Sequence, residues 1–522
     1  MENQQATKEF FQGALILTIA GLLSKVISAG YRVPLQNITG DVGFYIYQQI
    51  YPFLGMALML ALYGFPAAIS KLVAEHEQKH QLSLTSFYIP VFCLLAIINL
   101  FYFSVIYINA GRFAEWMGDD KLVHSIQVAA LSFLLIPFTS IFRGVFQGLN
   151  NMRPTAVSQL LEQVVRVVII IVVAVVIVSS GRQLYDVGAG AAYGSVFGGM
   201  VAFVILFVVW LRNKPFVKKR TVILWKVYLK AILIYGLFIG LNHMMLLLIQ
   251  FTDAFTLIPG LLKQGFSLDE AKIIKGVFDR GQPLIQLGTV IGSSIALAVI
   301  PSVTKTRMEQ QPIAFAQHIQ STIRISFYLS AAATAGLIAI FPYANTLLFQ
   351  NDLGTTSLRV LSLVMLLSSL AITISSILQG LNNIYITAVF IVIGIITKWM
   401  LNVWLIPYIG VIGSAIATVL SVSVILVLNV VGLKRMLPRV RLFSIPWRAF
   451  ILALLSMLIW VIVVNKVVEA FMPLTTRISH FIHIVIVCSV GGILYIVVLF
   501  RMNGFSEQEA NALPLGRRLK RR

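Results

Sequence analysis

About fourteen stretches of this chain are apolar for long enough to cross a bilayer, and this constrains the fold more than any other feature. They fall near 10–30, 43–70, 84–108, 122–147, 155–178, 187–211, 225–251, 279–302, 319–341, 355–379, 384–407, 409–433, 446–466 and 477–500. A run of about 20 apolar residues matches a hydrocarbon core of ~30 Å. Inside that core every backbone N–H and C=O must be satisfied within the protein, so the runs are expected to be helices. With 58% hydrophobic and 11% charged residues in 522, and a mean hydropathy of +0.90, the apolar surface exceeds what a soluble core could enclose. The expected class is an all-α polytopic membrane protein.

Basic residues set the expected orientation. Arg212, Lys214, Lys218, Lys219, Arg220 and Lys226 crowd one connection, Lys434, Arg435, Arg439 and Arg441 another, and Arg517, Arg518, Lys520, Arg521 and Arg522 the tail. Lys71, Lys79, Lys305 and Arg307 fall on the same side. The positive-inside rule makes that face and both termini cytoplasmic. Glu115, Asp119 and Asp120, and the connection from Thr252 to Phe278 with Asp253, Asp269 and Glu270, fall outside. The polar start lacks a basic n-region, so the first run is expected to be a retained span. The net charge of +21 follows from these loops and does not point to nucleic acid.

A repeat organises the crossings. QGLNN at 147–151 returns at 379–383, an offset of 379 − 147 = 232, and Thr155-Ala156-Val157 returns as Thr387-Ala388-Val389 at the same offset. Six crossings separate the copies, so both end a helix on the same face and the repeat is parallel. Weaker traces pair Phe65-Pro66 with Ile300-Pro301, and Ala189-Gly190-Ala191-Ala192 with Ile412-Gly413-Ser414-Ala415. The expected domains are an N-lobe at 1–220, a C-lobe at 221–443 and an extra helix pair with a basic tail at 444–522. Gly-Leu-Asn-Asn itself reads as a helix C-terminus and turn.

Charges within spans need a reason, because a Lys or Arg near the bilayer centre costs about 3 kcal/mol. Lys25 lies inside the first run with Arg32 near its outer end, and Arg280 follows Asp279 at the start of the eighth. Arg166 lies deep in the fifth run, and Lys398 stands 398 − 166 = 232 residues later at the equivalent depth. Lys25, Arg32 and Arg280 are expected to converge on an anion. Arg32 and Arg280 have the alternative of snorkelling to headgroups. Arg166 has the alternative of an intrahelical pair with Glu162, whereas Lys398 has Gly394 at that place and no partner on its own helix.

Carboxylates are scarce in the spans, with Glu162 nearly alone, which argues against a cation site. Cys93 and Cys488 lie in apolar runs and read as packing residues. His243, His480 and His483 have no carboxylate or Cys partner at ligand or triad spacing, so neither an enzyme nor a metal or cofactor is expected. No Gly-x-x-x-x-Gly-Lys-Ser/Thr stretch is present.

Two segments carry a family resemblance. LQNITGDVGFYIYQQIYPF at 35–53 resembles the first hairpin of the polysaccharide transporter branch of the multidrug/oligosaccharidyl-lipid/polysaccharide (MOP) exporter superfamily. Asp279-Arg280-Gly-Gln-Pro-Leu with GSSIALAVIP at 292–301 resembles the eighth helix of MurJ-type lipid II flippases, and the stage V sporulation protein B relatives share the layout. The resemblance implies an alternating-access flippase for an undecaprenyl-pyrophosphate-linked saccharide in the bacterial cytoplasmic membrane. It also implies a cluster of cavity cations on the pyrophosphate, with Lys25 and Arg32 near the family's first-helix arginines, Asp279 and Arg280 at its Asp-Arg pair, and a tail groove along the last two helices. Here Gln48-Gln49 stands where the lipid II flippases place an arginine before a proline, and Lys25 lacks the bidentate fork of arginine.

The expected substrate-binding residues are therefore Lys25, Arg32, Gln49, Asp279, Arg280, Arg166 and Lys398. The expected partners are a polyprenyl-pyrophosphate-linked sugar and membrane lipids, with a coupling ion left open and a monomer expected. The alternatives are a multidrug/cation antiporter of the same superfamily and a non-transporting scaffold for envelope-synthesis enzymes.

Overall fold

The computed structural model describes residues 2–77, 82–216, 223–299, 310–471, 476–506 and 509. Lys79, Lys218, Lys219, Arg220, Ile300, Pro301, Lys305, Arg307 and the basic tail from Arg517 to Arg522 lie outside them. The regular secondary structure of the described residues is helical, without a β-sheet. Twelve helical segments are long and apolar enough to cross a membrane. Two of these, Leu15–Glu75 and Ile384–Met436, each hold two spans. The chain leaves helical geometry between them at Gly40 (φ 68°, ψ −175°) and Gly410 (φ 60°, ψ −141°), conformations that glycine adopts without a Cβ clash. Trp225–His243 and Met245–Gln264, two of the twelve, together make the seventh crossing, and with the Gly281–Val299 helix in the eighth place the order of crossings is the one expected from the apolar runs.

Thirteen helices carry the functional argument. They are α1 (Glu2–Gly30), α2 (Arg32–Met59), α3 (Phe65–Glu77), α4 (Ile136–Gly148), α5 (Arg153–Ser179), α6 (Met245–Gln264), α7 (Leu268–Asp279), α8 (Gly281–Val299), α9 (Pro312–Phe349), α10 (Thr355–Gly380), α11 (Ile384–Met436), α12 (Trp447–Phe471) and α13 (Arg477–Arg501).

The seventh crossing departs from the sequence expectation. Hydropathy falls at Thr252-Asp253, which placed the end of the span at 251 and assigned 252–278 to an outer connection. The helix instead runs on to Gln264, and α7 follows within the same unit with Lys272, Lys275 and Asp279 buried. The polar residues are tolerated because each finds a partner of opposite charge.

Both copies of QGLNN end a helix in the same way. Asn150 (φ 58°) and Asn382 (φ 66°) take the left-handed conformation, and the N–H of the next asparagine reaches back to Phe146 O and Leu378 O, each at 2.9 Å. Asn tolerates this conformation better than other non-glycine residues. Gly144 and Gly148 remain helical and let α4 close onto α3, since a Cβ on either would lie 2.4 Å from Ile69 Cβ or 2.5 Å from Val73 Cβ. Gly190 and Gly413, paired in the weaker repeat trace, are also sites of close approach, to Val173 and to the Leu405 backbone.

The residues group into two compact units: Met1–Asp279 with Ile384–Ser414, and Arg280–Asn383 with Ala415–Arg522. In the first, Tyr31, Leu35, Phe44 and Tyr47 pack on Ile170, Ala174 and Ile177 of α5. In the second, α12 and α13 seat Phe450, Met457, Tyr495 and Leu499 against Tyr328 and Ala331 of α9. Hydroxyl pairs tie its core helices together, with Thr289 to Ser368 at 2.7 Å and Ser326 to Thr373 at 2.8 Å. Such pairs suit a setting without a hydrophobic force between helices.

Gly144→Val is expected to destabilise the chain by about 1–3 kcal/mol through overpacking against Ile69. Gly492→Ala, in the interior of α13 where an added Cβ meets nothing within 4 Å, is expected not to lower the unfolding temperature. Thermal unfolding of the purified variants checks both.

Candidate functional site

In the first unit Arg32 has two buried donors that are not used. Arg32 opens α2 and is 1% exposed. Its guanidinium lies over the Tyr51 ring, 4.0 Å from the centroid. Stacking occupies the face of the group and leaves its edge for in-plane hydrogen bonds. Along that edge Nε and Nη2 have no hydrogen-bond partner among the described residues. Tyr31 and Tyr47 stand beside it with their hydroxyls hydrogen-bonded to each other, and Tyr47 is tilted against Tyr51 at 5.8 Å. A buried guanidinium with open edge donors has the chemistry to donate charge-assisted hydrogen bonds to an oxyanion.

Lys25, on α1, is half-buried, and its Nζ makes no hydrogen bond or ion pair with a described residue. His243 is stacked on Tyr63 with centroids 4.4 Å apart, as a packing residue would be. Gln49 is fully buried and donates to Ala254 O of α6 at 3.1 Å, leaving its Oε1 unpartnered. Gln48 reaches Asp279 O at 3.5 Å.

Arg166 is drawn into a triad. Glu162 accepts from Arg166 Nη2 at 2.8 Å and from Arg143 Nη2 at 2.7 Å. Arg143 is fully buried and also donates to Ser158 Oγ and to Ala61 O, each at 3.3 Å. The intrahelical pair considered from sequence is therefore present, with a second arginine that sequence spacing did not reveal. One carboxylate between two guanidiniums leaves net positive charge. Arg166, with its Nε unpartnered, lines a small cavity with Leu54, Ser132, Thr139, Glu162 and Ser195.

Lys398 corrects the sequence analysis. No partner was evident on its own helix, and Asp253 was placed outside the membrane. In the structure Lys398 Nζ meets Asp253 Oδ1 at 2.7 Å, and both residues are at most 1% exposed. Glu162 is accordingly not the sole buried carboxylate. Asp279 takes Lys275 Nζ at 2.7 Å, and Asp119 accepts from Tyr45 at 3.1 Å and Tyr185 at 2.6 Å with Lys272 at 3.6 Å. Burial, and then Asp119, push the Tyr185 phenol up, so it stays a donor. In the second unit Arg280 is fully buried, donates to Asn351 Oδ1 at 2.6 Å and lies 5.3 Å from the Phe349 centroid. Asp279 and Arg280, adjacent in sequence, are thus engaged by different partners. No group of three or more His, Cys, Asp or Glu able to hold a metal occurs among the described residues.

Residues 10–307 match the family model described as polysaccharide biosynthesis protein. Over 520 residues the chain is 38% identical to YabM, an uncharacterized membrane protein of Bacillus subtilis (strain 168), covering 98% of this chain and 96% of that one. The chain belongs to the polysaccharide biosynthesis protein family. It is also 25% identical to the lipid II flippase MurJ of the same organism, over 98% of each chain. A solved structure of lipid II flippase MurJ in an inward closed conformation superposes with a TM-score of 0.67 at 14% identity, covering 94% of this chain and 99% of that one. An inward-facing multidrug resistance MATE family transporter of the MOP superfamily follows with a TM-score of 0.61 at 16% identity, over 81% and 96%. The family resemblance and the fold expected from residues 35–53 and 279–301 are thereby borne out.

Glu162→Gln is expected to destabilise the family member by about 3–5 kcal/mol, because two buried guanidiniums lose their counter-charge. Arg166→Met should lose less, since Arg143 still neutralises Glu162. Chemical or thermal unfolding of the two variants side by side reads the difference.

Proposed function

We propose that this chain is a membrane flippase that moves a polyprenyl-pyrophosphate-linked saccharide across the bacterial cytoplasmic membrane by alternating access, with both termini on the cytoplasmic side. The observation that carries it is Arg32, a fully buried guanidinium whose Nε and Nη2 donors are unsatisfied. An unsatisfied buried cation is costly, and a diphosphate that arrives with its own paired oxygens repays that cost through charge-assisted bonds. Lys25 adds a second positive charge with no fixed partner, Gln49 a free amide oxygen for sugar hydroxyls, and the Arg166 triad a net positive field. Exposed apolar side chains on α12 and α13, among them Ile459, Ile462, Phe481 and Ile493, suit an acyl or polyprenyl chain that remains in lipid.

A cation antiporter is disfavoured by the same network. It needs a carboxylate free to bind and release its cargo. Here Glu162 is held by two arginines, Asp253 by Lys398 and Asp279 by Lys275. A scaffold without transport has no use for the open donors of Arg32.

The test is native mass spectrometry of purified wild type, Arg32→Ala and Arg32→Lys, each offered lipid II, an undecaprenyl-pyrophosphate oligosaccharide and a neutral glycolipid. Wild type is expected to retain the pyrophosphate lipids, Arg32→Ala to lose them at least tenfold, and Arg32→Lys to recover part. Equal retention of all three lipids, or no change in Arg32→Ala, overturns the proposal.

A further inference from the structure

Lys398 is enclosed by oxygen. Its Nζ donates to Asp253 Oδ1 at 2.7 Å, to Ser414 O at 2.8 Å and to Ser414 Oγ at 3.0 Å. Ser414 Oγ in turn donates to Asp253 Oδ1 at 2.7 Å. Asn402 Nδ2 bridges Asp253 Oδ1 at 2.8 Å and Thr256 Oγ1 at 2.7 Å, which fixes the carboxylate from α11. Lys398, Asn402 and Ser414 are 0% exposed, Asp253 1% and Thr256 6%. Two further buried oxygens of the cluster, Asp253 Oδ2 and Asn402 Oδ1, have no hydrogen-bond partner.

This donor set is a carboxylate, a backbone carbonyl, hydroxyls and an amide oxygen, with no sulfur or imidazole. It is the set that hard cations take, and at the end of a broken helix it is where transporters coordinate ions. The helix break is present at Gly410, four residues before Ser414. The charge the cluster stabilises is a single positive one, and the chain supplies it covalently.

The repeat adds a second observation. Arg166 is the counterpart of Lys398 at 398 − 166 = 232, and its carboxylate Glu162 lies on its own helix. The carboxylate of Lys398 comes from α6 instead, and the position 232 residues before Asp253 is Gly21. The oxygen cluster is therefore particular to the second copy and is not a by-product of duplication.

We propose that this α6–α11 cluster is a monovalent-cation site whose occupant in this chain is the Lys398 ammonium. The wild-type protein takes up no alkali cation there, and removal of the ammonium opens the site to Na+. An ammonium 2.7 Å from Asp253 repels a second cation at short range in a medium where charges are poorly screened. Without it, the Asp253 carboxylate and the Ser414 carbonyl and hydroxyl lose the positive charge that they hold. The inference is independent of the lipid substrate, so it stands or falls apart from the flippase proposal.

The experiment uses the full-length protein in nanodiscs, with thermal unfolding in NaCl, LiCl, KCl and choline chloride at matched ionic strength, for wild type, Lys398→Ala and the double variant Lys398→Ala with Asp253→Asn. Wild type is expected to unfold at the same temperature in all four salts. Lys398→Ala should be stabilised saturably by NaCl over choline chloride, as a ligand that binds only the folded state requires. The double variant should lose that dependence. A wild type stabilised by Na+ over choline overturns the proposal, as does a folded Lys398→Ala indifferent to all four cations. Radiolabelled Na+ binding to wild type is read in parallel and does not depend on any variant folding. Saturable binding abolished by Asp253→Asn shows an external ion in the site and likewise overturns the proposal.

Discussion

A charge taken into the membrane interior must bring its counter-charge or have a ligand to meet, and the rest of this structure follows from that constraint. Desolvating an ion costs several kcal/mol even after relaxation, and a lone buried charge is therefore unstable. The chain meets the requirement with pairs and triads: Arg143–Glu162–Arg166, Lys398–Asp253, and Lys275–Asp279. The Arg143–Glu162 and Lys398–Asp253 pairs join helices that the apolar effect alone would leave free to slide, because lipid tails wet a helix as well as another helix does. Arg32, with two open donors, departs from the rule, and the flippase proposal rests on that departure.

Packing works alongside the charges. Gly144 and Gly148 bring α4 onto α3 at distances no side chain permits, which brings Arg143 of α4 to Ala61 O. Across the other face the arginine meets Ser158 and Glu162 of α5. The small residues are thus part of the electrostatic arrangement: without close backbones the guanidinium would not span to its acceptors. In the second unit the same economy appears as hydroxyl pairs, Thr289 with Ser368 and Ser326 with Thr373, where helices too close for large side chains are joined by short polar ones.

The repeat shows how duplicated halves come to differ. Its punctuation is kept in both copies, down to the left-handed asparagine at Asn150 and Asn382. The deep cation is also kept, as Arg166 and Lys398. The counter-charge is not, arising from the same helix in one half and from a different crossing in the other. A guanidinium shared between a carboxylate and a cavity retains open donors, whereas an ammonium sealed in oxygen has its charge fully met. Two positions equivalent in sequence therefore support different roles.

Much of this was legible in the sequence for a physical reason: the bilayer fixes helix length and secondary structure, so hydropathy determines the class and the order of crossings, and the QGLNN and Thr-Ala-Val identities add the parallel repeat. The QGLNN turns, the pairing of Glu162 with Arg166 and the cations at Lys25 and Arg32 were readable because they depend on local spacing or on depth within a span. What only the tertiary structure decided was who meets whom across helices. Asp253 looked like a loop residue because one carboxylate ends an apolar window, and its partner lies 145 positions away, at 398 − 253, where no periodicity connects them. Arg143 hid near the end of its run for the same reason. Hydropathy reports the solvent around a single helix, but a buried charge is settled by a contact between two, and that contact exists only once the helices are packed.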